Sequence, residues 1–439
     1  MKNDPRQIIA DSPMSVLQIV VIGLTIALNA LDGFDVMAIS FASPGIAAEW
    51  KIDRAALGIV LSMELIGMAL GSLLLGRVAD AIGRRPTVLG CVTVMAIGMY
   101  MASTATGIYD LSAWRVFTGL GIGGVLATIN AVAAEFSNAK NRNLCVSLMS
   151  IGYPVGAVLG GLVAAQLLKS GDWRPVFVFG AAVTACMLPL VWFFVPEAVS
   201  WLSNKQPKDA LAKINATMSR MGHATIDQLP VLGEDPSGRK VGTDTIFSPH
   251  MIRTTIIVAA AYFFHITTFY YILKWVPKIV VDMGFAASSA AGVLVWANVG
   301  GALGGAVVGF LANRYSLKAV TITVLVASTV MVNVFGHGYT DLATLSLVCA
   351  CAGFFTNGAI NGLYATFAQV FPSHMRASGT GFGIGIGRGG SVLAPIIAGF
   401  LFQAGNSLPK VSLLLSFGSV VAAVLIYILV MPRKGEVNF

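Results

Sequence analysis

The chain has 439 residues, 56% of them hydrophobic and only 11% charged, with a mean hydropathy of +0.79. A soluble domain carries about 25% charged residues, so this composition excludes an ordinary water-soluble enzyme and leaves a membrane protein. The net charge of +8 comes without the aromatic-interleaved basic groove that would point to nucleic acid.

A bilayer-crossing helix needs about 20 apolar residues. Such windows predict twelve spans, at 17–44, 57–79, 87–106, 110–136, 144–168, 174–195, 252–281, 289–312, 318–336, 341–370, 377–403 and 408–431. The expected fold is an all-α polytopic membrane protein: a six-helix bundle over 1–195, a central loop over 196–250 and a second six-helix bundle over 251–439. An even number of spans puts both termini on one side. Placing them in the cytoplasm leaves Lys51, Arg54, Lys169, Arg174, Lys278 and Lys410 outside and most other basic residues inside, as orientation by basic loops requires. The start, MKNDPRQIIADSP, mixes charge signs, and the apolar run after it is too long for a signal h-region, so a multi-pass protein of an inner or plasma membrane is expected. The five cysteines lack C-x-x-C spacing and read as small core residues, with no metal implied.

Span one contains NALDGFDVMAISF (29–41), with Asp32 and Asp35 three residues apart and leaning to one face. At 1.5 Å per residue Asp32 is roughly 22 Å into the span. A carboxyl group inside a span is costly and marks an ion or substrate pathway. It can take up a proton on one side and release it on the other. Gly33 between the two acids lets a neighbouring helix or a ligand come close. Glu64 in span two (LSMELIGMALG) is a third ionisable group at depth.

GRVADAIGRRP follows, between spans two and three. Gly76 and Gly83 permit close approach and a tight turn, and Asp80 ends one helix where Arg84 and Arg85 open the next. By residue type alone this is equally plain basic anchoring. WRVFTGLGIGG (114–124) opens span four with Arg115 and a glycine run suited to close packing in lipid. No strand precedes it, so it is not a nucleotide loop. Glu135 and Arg142 close the same region. The central loop, rich in Pro, Gly and charge, is expected to carry one short surface helix.

In span seven, His265 sits among aromatics, where a hydrogen-bonded core role competes with proton shuttling. Tyr270 and Tyr271, with Phe269, offer a flat wall and a phenol for an aromatic ligand. Lys274 precedes Pro277, which should kink or unwind that helix. Lys274 either pairs with Glu64 across the halves as an outer gate or snorkels to the interface. Asn298, Asn357 and Asn361 are mid-span amides, interhelical glue by default and candidate substrate contacts otherwise. Arg388 lies about 16 Å into span eleven. It is flanked by glycines and needs a carboxylate, either Asp32 or Asp35 or that of a bound substrate.

The halves repeat. Asp80 in GRVADAIGRR aligns with Asn313 in GFLANRYSLK, and Glu135 in EFSNAKNR with Gln369 in QVFPSHMR, at offsets of 233 and 234. Internal repetition in a polytopic protein points to a transporter. The second half keeps Arg376 but loses both acids, so the first-half latch is expected to dominate.

The order G-x-x-x-D-x-x-G-R-R between helices two and three resembles the signature loop of the major facilitator superfamily, and the twelve spans, central loop and repeat fit that family over nearly the whole chain. In it, the glycine motif of span four belongs to proton-coupled members. D-G-F-D followed by an exposed S-P-G-I, with M-R-A-S-G…G-I-G-R, resembles its aromatic acid:proton symporter branch. That resemblance implies roles in transport for Asp32, Asp35, Glu135, Arg376 and Arg388, and places Gly76, Asp80, Gly83, Arg84, Arg85, Arg115 and Arg142 in the gate. It implies a monomeric, proton-coupled importer of a benzoate- or hydroxybenzoate-like carboxylate, driven by the proton gradient without a cofactor. The alternative is a carrier of another organic anion, or an antiport exporter. A membrane enzyme lacks support: there is no H-E-x-x-H and no nucleophile elbow.

Overall fold

The computed structural model describes residues 4–230, 246–372 and 375–431. Every regular element among them is helical: α1 (Pro5–Asp11), α2 (Val16–Trp50), α3 (Arg54–Ile82), α4 (Arg84–Ser103), α5 (Ile108–Glu135), α6 (Arg142–Leu167), α7 (Arg174–Phe194), α8 (Val199–Lys205), α9 (Ala210–Arg220), α10 (Ile252–Asp282), α11 (Ala287–Arg314), α12 (Leu317–Gly336), α13 (Leu342–Val370), α14 (Arg376–Gln403) and α15 (Leu408–Ile428). Twelve of these are long and apolar enough to cross a membrane. They coincide with the predicted spans to within a few residues at most ends. Many exposed positions along them are large and apolar, among them Leu73, Leu159, Phe193, Phe310 and Phe417, a surface suited to lipid. The described part of the central loop holds two short helices, α8 and α9, rather than one, and α1 was not anticipated.

The chain forms two compact units whose boundaries fall inside four helices. One takes the chain up to Val36, Gly67–Gly156 and the segment from Phe177 through α9; the other takes Met37–Ile66, Ala157–Val176 and the helices from α10 onward. The second unit therefore packs parts of α2, α3, α6 and α7 among the last six spans.

Several spans contain proline, and lipid cannot solvate the carbonyl that proline leaves without its N–H partner. In α2, Pro44 deprives the carbonyl of Ser40, and the Ser43 hydroxyl donates to that oxygen at 2.8 Å. In α6, Pro154 deprives Ser150, whose carbonyl receives Asn29 Nδ2 at 3.4 Å while the same amide donates to Met149 at 2.7 Å. The S-P-G-I stretch, expected to be exposed, is instead buried inside α2: Ser43 has no exposed surface, and a side chain on Gly45 would meet the Trp173 ring at 3.0 Å. The hydroxyl repair lets the helix continue to Trp50, so no break brings the segment to the surface. Pro277 likewise sits within an unbroken α10.

Helices α2 and α6 meet backbone to backbone. A Cβ on Gly156 would lie 1.7 Å from the Ala30 carbonyl oxygen, and one on Gly152 2.4 Å from that of Ile26. Overpacking of this kind, against main chain that cannot rotate away, costs about 1–3 kcal/mol or more. Gly90 on α4 has open space where its Cβ would go, and there alanine relieves the entropic cost of helical glycine, about 0.5–1 kcal/mol. The same substitution should therefore have opposite signs at the two positions: a lower Tm for Gly156→Ala and a slightly higher one for Gly90→Ala, read by thermal unfolding of detergent-purified protein.

Candidate functional site

In the first unit, Asp32 and Asp35 are both fully buried on α2. The close neighbour that Gly33 admits is a helix rather than a ligand, since a Cβ there would sit 2.0 Å from the Tyr153 carbonyl oxygen of α6. Arg115 belongs with these acids in space. It is fully buried, its Nη2 donates to the Asp35 carbonyl at 2.9 Å, its Nη1 reaches Met99 Sδ at 3.0 Å, and its guanidinium lies over the Phe177 ring at 5.3 Å. A buried guanidinium is tolerable only where carbonyls, rings and acids replace its water, and this pocket supplies such groups.

The loop between α3 and α4 forms a separate cluster in the same unit. Arg84 donates to Asp80 Oδ1 at 2.5 Å and to Glu135 Oε1 at 3.4 Å, tying the ends of α3 and α5 to the start of α4. Glu135 Oε2 is buried without a hydrogen-bond partner among the described residues. Arg85 donates to the Trp192 carbonyl at 2.6 Å and stacks on that indole at 5.0 Å. Gly83 adopts a φ of +114°, and a Cβ there would meet Glu197 Oε2 at 2.3 Å. Gly76 carries no such constraint, its Cβ position being 3.7 Å from Ala127.

Glu197 lies just past α7 and outside the spans. It caps α4, accepting the backbone N–H of Arg84 at 2.8 Å and that of Arg85 at 3.3 Å, where the helix dipole favours an anion. Burial pushes its carboxyl above the usual carboxylate range, while those N–H groups and the Arg84 charge oppose that rise. Only a P-E step at the end of a span hinted at it.

In the second unit, Glu64 on α3 and Lys274 on α10 are both fully buried, with Nζ 3.4 Å from Oε2. Around them α3 touches α14 through main chain. The Ser62 hydroxyl donates to the Val392 carbonyl at 2.8 Å, and Cβ atoms on Gly58 and Gly399 would lie 2.4 Å from the Pro395 oxygen and 2.5 Å from the Arg54 oxygen. Arg388 on α14 is partly buried. Its charge is within electrostatic reach of Tyr262 and Tyr270. Gly387 beside it packs on the Tyr262 ring, whose hydroxyl is 3.0 Å from that of Tyr364. Tyr270 is half-buried and edge-on to Phe269 at 5.3 Å.

Of the other candidates in this unit, His265, Tyr271 and Asn357 join one helix to another. His265 is buried with Nδ1 2.9 Å from Ser419 Oγ and Nε2 2.9 Å from the Thr356 carbonyl, bracing α10 on α13 and α15. Tyr271 shares a 2.7 Å hydrogen bond with Ser412 on α15. Asn357 donates to the Gly301 carbonyl of α11 at 2.7 Å, whereas Asn298 and Asn361 donate to carbonyls of their own helices, Leu294 and Asn357.

Residues 25–382 match the family model of the Major Facilitator Superfamily. The chain belongs to that superfamily. Among its relatives, a gallate transporter of Pseudomonas putida is 27% identical over 96% of this chain and 94% of its own. A benzoate transport protein of Acinetobacter baylyi is 27% identical over 91% and 86%, and a 4-hydroxybenzoate transporter of the same organism 26% over 97% and 94%. A solved D-xylose–proton symporter superposes with a TM-score of 0.73 at 17% identity, covering 96% of this chain and 99% of that one. The xylose transporter of E. coli, in a partially occluded inward-open form, gives 0.72 at 14%, covering 96% and 100%. At such identities the structures speak for the fold. With family and relatives all transporters, this superfamily member is a multi-pass membrane transporter and not an enzyme.

Arg142 opens α6 and is exposed. Arg376 opens α14, and its side chain, like that of Asn313, lies outside the described ones. The pairing of Tyr262 with Tyr364, 102 residues apart, has no signal in the sequence, since aromatic residues are common in spans.

Proposed function

We propose that the protein is a proton-coupled symporter that imports a small aromatic carboxylate of the benzoate or hydroxybenzoate kind by alternating access, as a monomer and without a cofactor. It works in a bacterial inner membrane with both termini cytoplasmic. One observation carries the reading: Asp32 and Asp35 are fully buried three residues apart on one spanning helix, with the Arg115 guanidinium on the Asp35 carbonyl. Such groups are retained in lipid where they move ions. The names of the relatives, carriers of gallate, benzoate and 4-hydroxybenzoate, support an aromatic acid as the cargo.

In this reading Asp32 and Asp35 load the proton and Arg388 takes the carboxylate with bidentate geometry. Tyr270 borders the ring. Glu135, Asp80, Arg84 and Arg85 latch the cytoplasmic side. Glu64 and Lys274 close the outer side. A relative named as a niacin transporter, 24% identical over 92% of this chain, favours a second reading in which the ring is a heteroaromatic acid.

Proteoliposomes holding the purified carrier, acid outside, test this. Labelled benzoate or 4-hydroxybenzoate should accumulate inside and leave on addition of a protonophore. Accumulation of neither these nor nicotinate, with aliphatic acids taken up instead, would overturn the aromatic assignment.

A further inference from the structure

The second unit contains a cleft of about 230 Å³ among the ends of α3, α10, α14 and α15, lined by Arg54, Trp275, Ile279, Asp282, Phe402 and Leu408, among others. Pockets for drug-sized ligands span about 300–1,000 Å³, so this one suits a single ring. Its inner wall is aromatic: Trp275 and Phe402 are both buried, with centroids 5.1 Å apart. Trp275 is held in place by a 3.1 Å hydrogen bond from its Nε1 to the Pro395 carbonyl. Charge sits at the rim. Arg54 lies 5.5 Å over the Phe402 ring, its Nη2 3.1 Å from Asp282 Oδ2. Asp282 is also bound by Lys278 through its other oxygen.

The cluster thus has two cations for one carboxylate. Of the Arg54 guanidinium only Nη2 meets an acceptor among the described residues, so a fork of donors stays open for an anion. An aromatic wall beneath a surplus guanidinium has the chemistry to recognise an aromatic carboxylate. Trp275 of this wall directly follows Lys274 on α10, so the cleft and the buried Glu64–Lys274 pair share that helix.

We propose that this cleft is a capture site for the aromatic acid on the outer face, distinct from Arg388, which loads before the Glu64–Lys274 pair parts. The proposal rests on the aromatic-acid reading above.

Ser407 lines the cleft, is exposed, and makes no capping hydrogen bond at the start of α15, so cysteine replaces it without loss of a contact. Full-length Ser407→Cys carrier in cells would be labelled with a membrane-impermeant thiol reagent, the unsubstituted protein giving the background. Benzoate at millimolar concentration should slow labelling at least threefold, also in an Arg388→Gln background. Acetate, lacking the ring, and benzyl alcohol, lacking the charge, should not. Adding Arg54→Gln should abolish protection, and Arg54→Lys should keep part of it.

Labelling indifferent to benzoate, or protection that survives Arg54→Gln, overturns the capture site. If benzoate is accumulated while labelling stays indifferent, the capture site falls and the transport reading stands. If protection is found while benzoate is never accumulated, the capture site stands and the transport reading falls.

Discussion

Glu64→Lys and Lys274→Glu are each expected to abolish uptake, and the two together to restore it to within about tenfold of the parent. Each single reversal puts two like charges side by side where neither has surface exposed, and a buried charge without its partner costs about 3–5 kcal/mol. That is a shift of more than 100-fold in whatever equilibrium contains the contact. If the pair closes the outer side, the equilibrium is that between closed and open carriers. The doubly apolar variant, Glu64→Met with Lys274→Met, separates gating from mere stability. Replacing a buried pair by apolar groups is often neutral or stabilising by 1–4 kcal/mol, so its Tm should hold or rise. A gate must also open, and opening an apolar seam offers no water-seeking charges, so uptake should fall while the folded yield stays high. Normal uptake by that variant, or no rescue by the swap, removes the gate.

The contrast between Glu64 and Glu197 shows what was legible in the sequence. The spans declared themselves because hydropathy is a local sum, and every charge inside one stood out. Glu64 and Lys274 are two such charges at similar depth, and of the two fates open to the lysine, pairing or snorkelling to the interface, the structure has the pair, 210 residues apart in sequence. Glu197 lies outside the spans, where charge is ordinary, and its place under α4 depends on a helix end brought from 113 residues away. The S-P-G-I segment was misjudged for a related reason. Proline and glycine signal a break only while the freed carbonyl goes unanswered, and the Ser43 hydroxyl answers it. The aromatic wall of span seven divided in the same way: Tyr271 turned to Ser412, and Tyr270 packs edge-on to Phe269. Adjacent residues on a helix point about 100° apart, and the choice between them lies in the packing partners.

The second large effect concerns the acids of α2. Asp35→Asn and Asp32→Asn should each reduce gradient-driven accumulation to equilibrium while leaving exchange of labelled for unlabelled substrate measurable. One coupled proton across one pH unit supports about tenfold accumulation, because 1.4 kcal/mol is a factor of ten. An amide has nearly the volume and shape of the acid but carries no exchangeable charge, so the carrier should still turn over with substrate bound on both passages. Arg115 sharpens the test. It holds the Asp35 backbone carbonyl at 2.9 Å, a contact that asparagine leaves in place, so a folded Asp35→Asn protein isolates the loss of the titrating group from loss of the helix packing around it. Arg115→Met removes both the cation and the brace, and should lower Tm as well as accumulation. If Asp32→Asn and Asp35→Asn both still accumulate substrate tenfold against a unit gradient, the proton enters elsewhere. Glu135, with one carboxyl oxygen buried and unbonded among the described residues, would then be the next acid to neutralise.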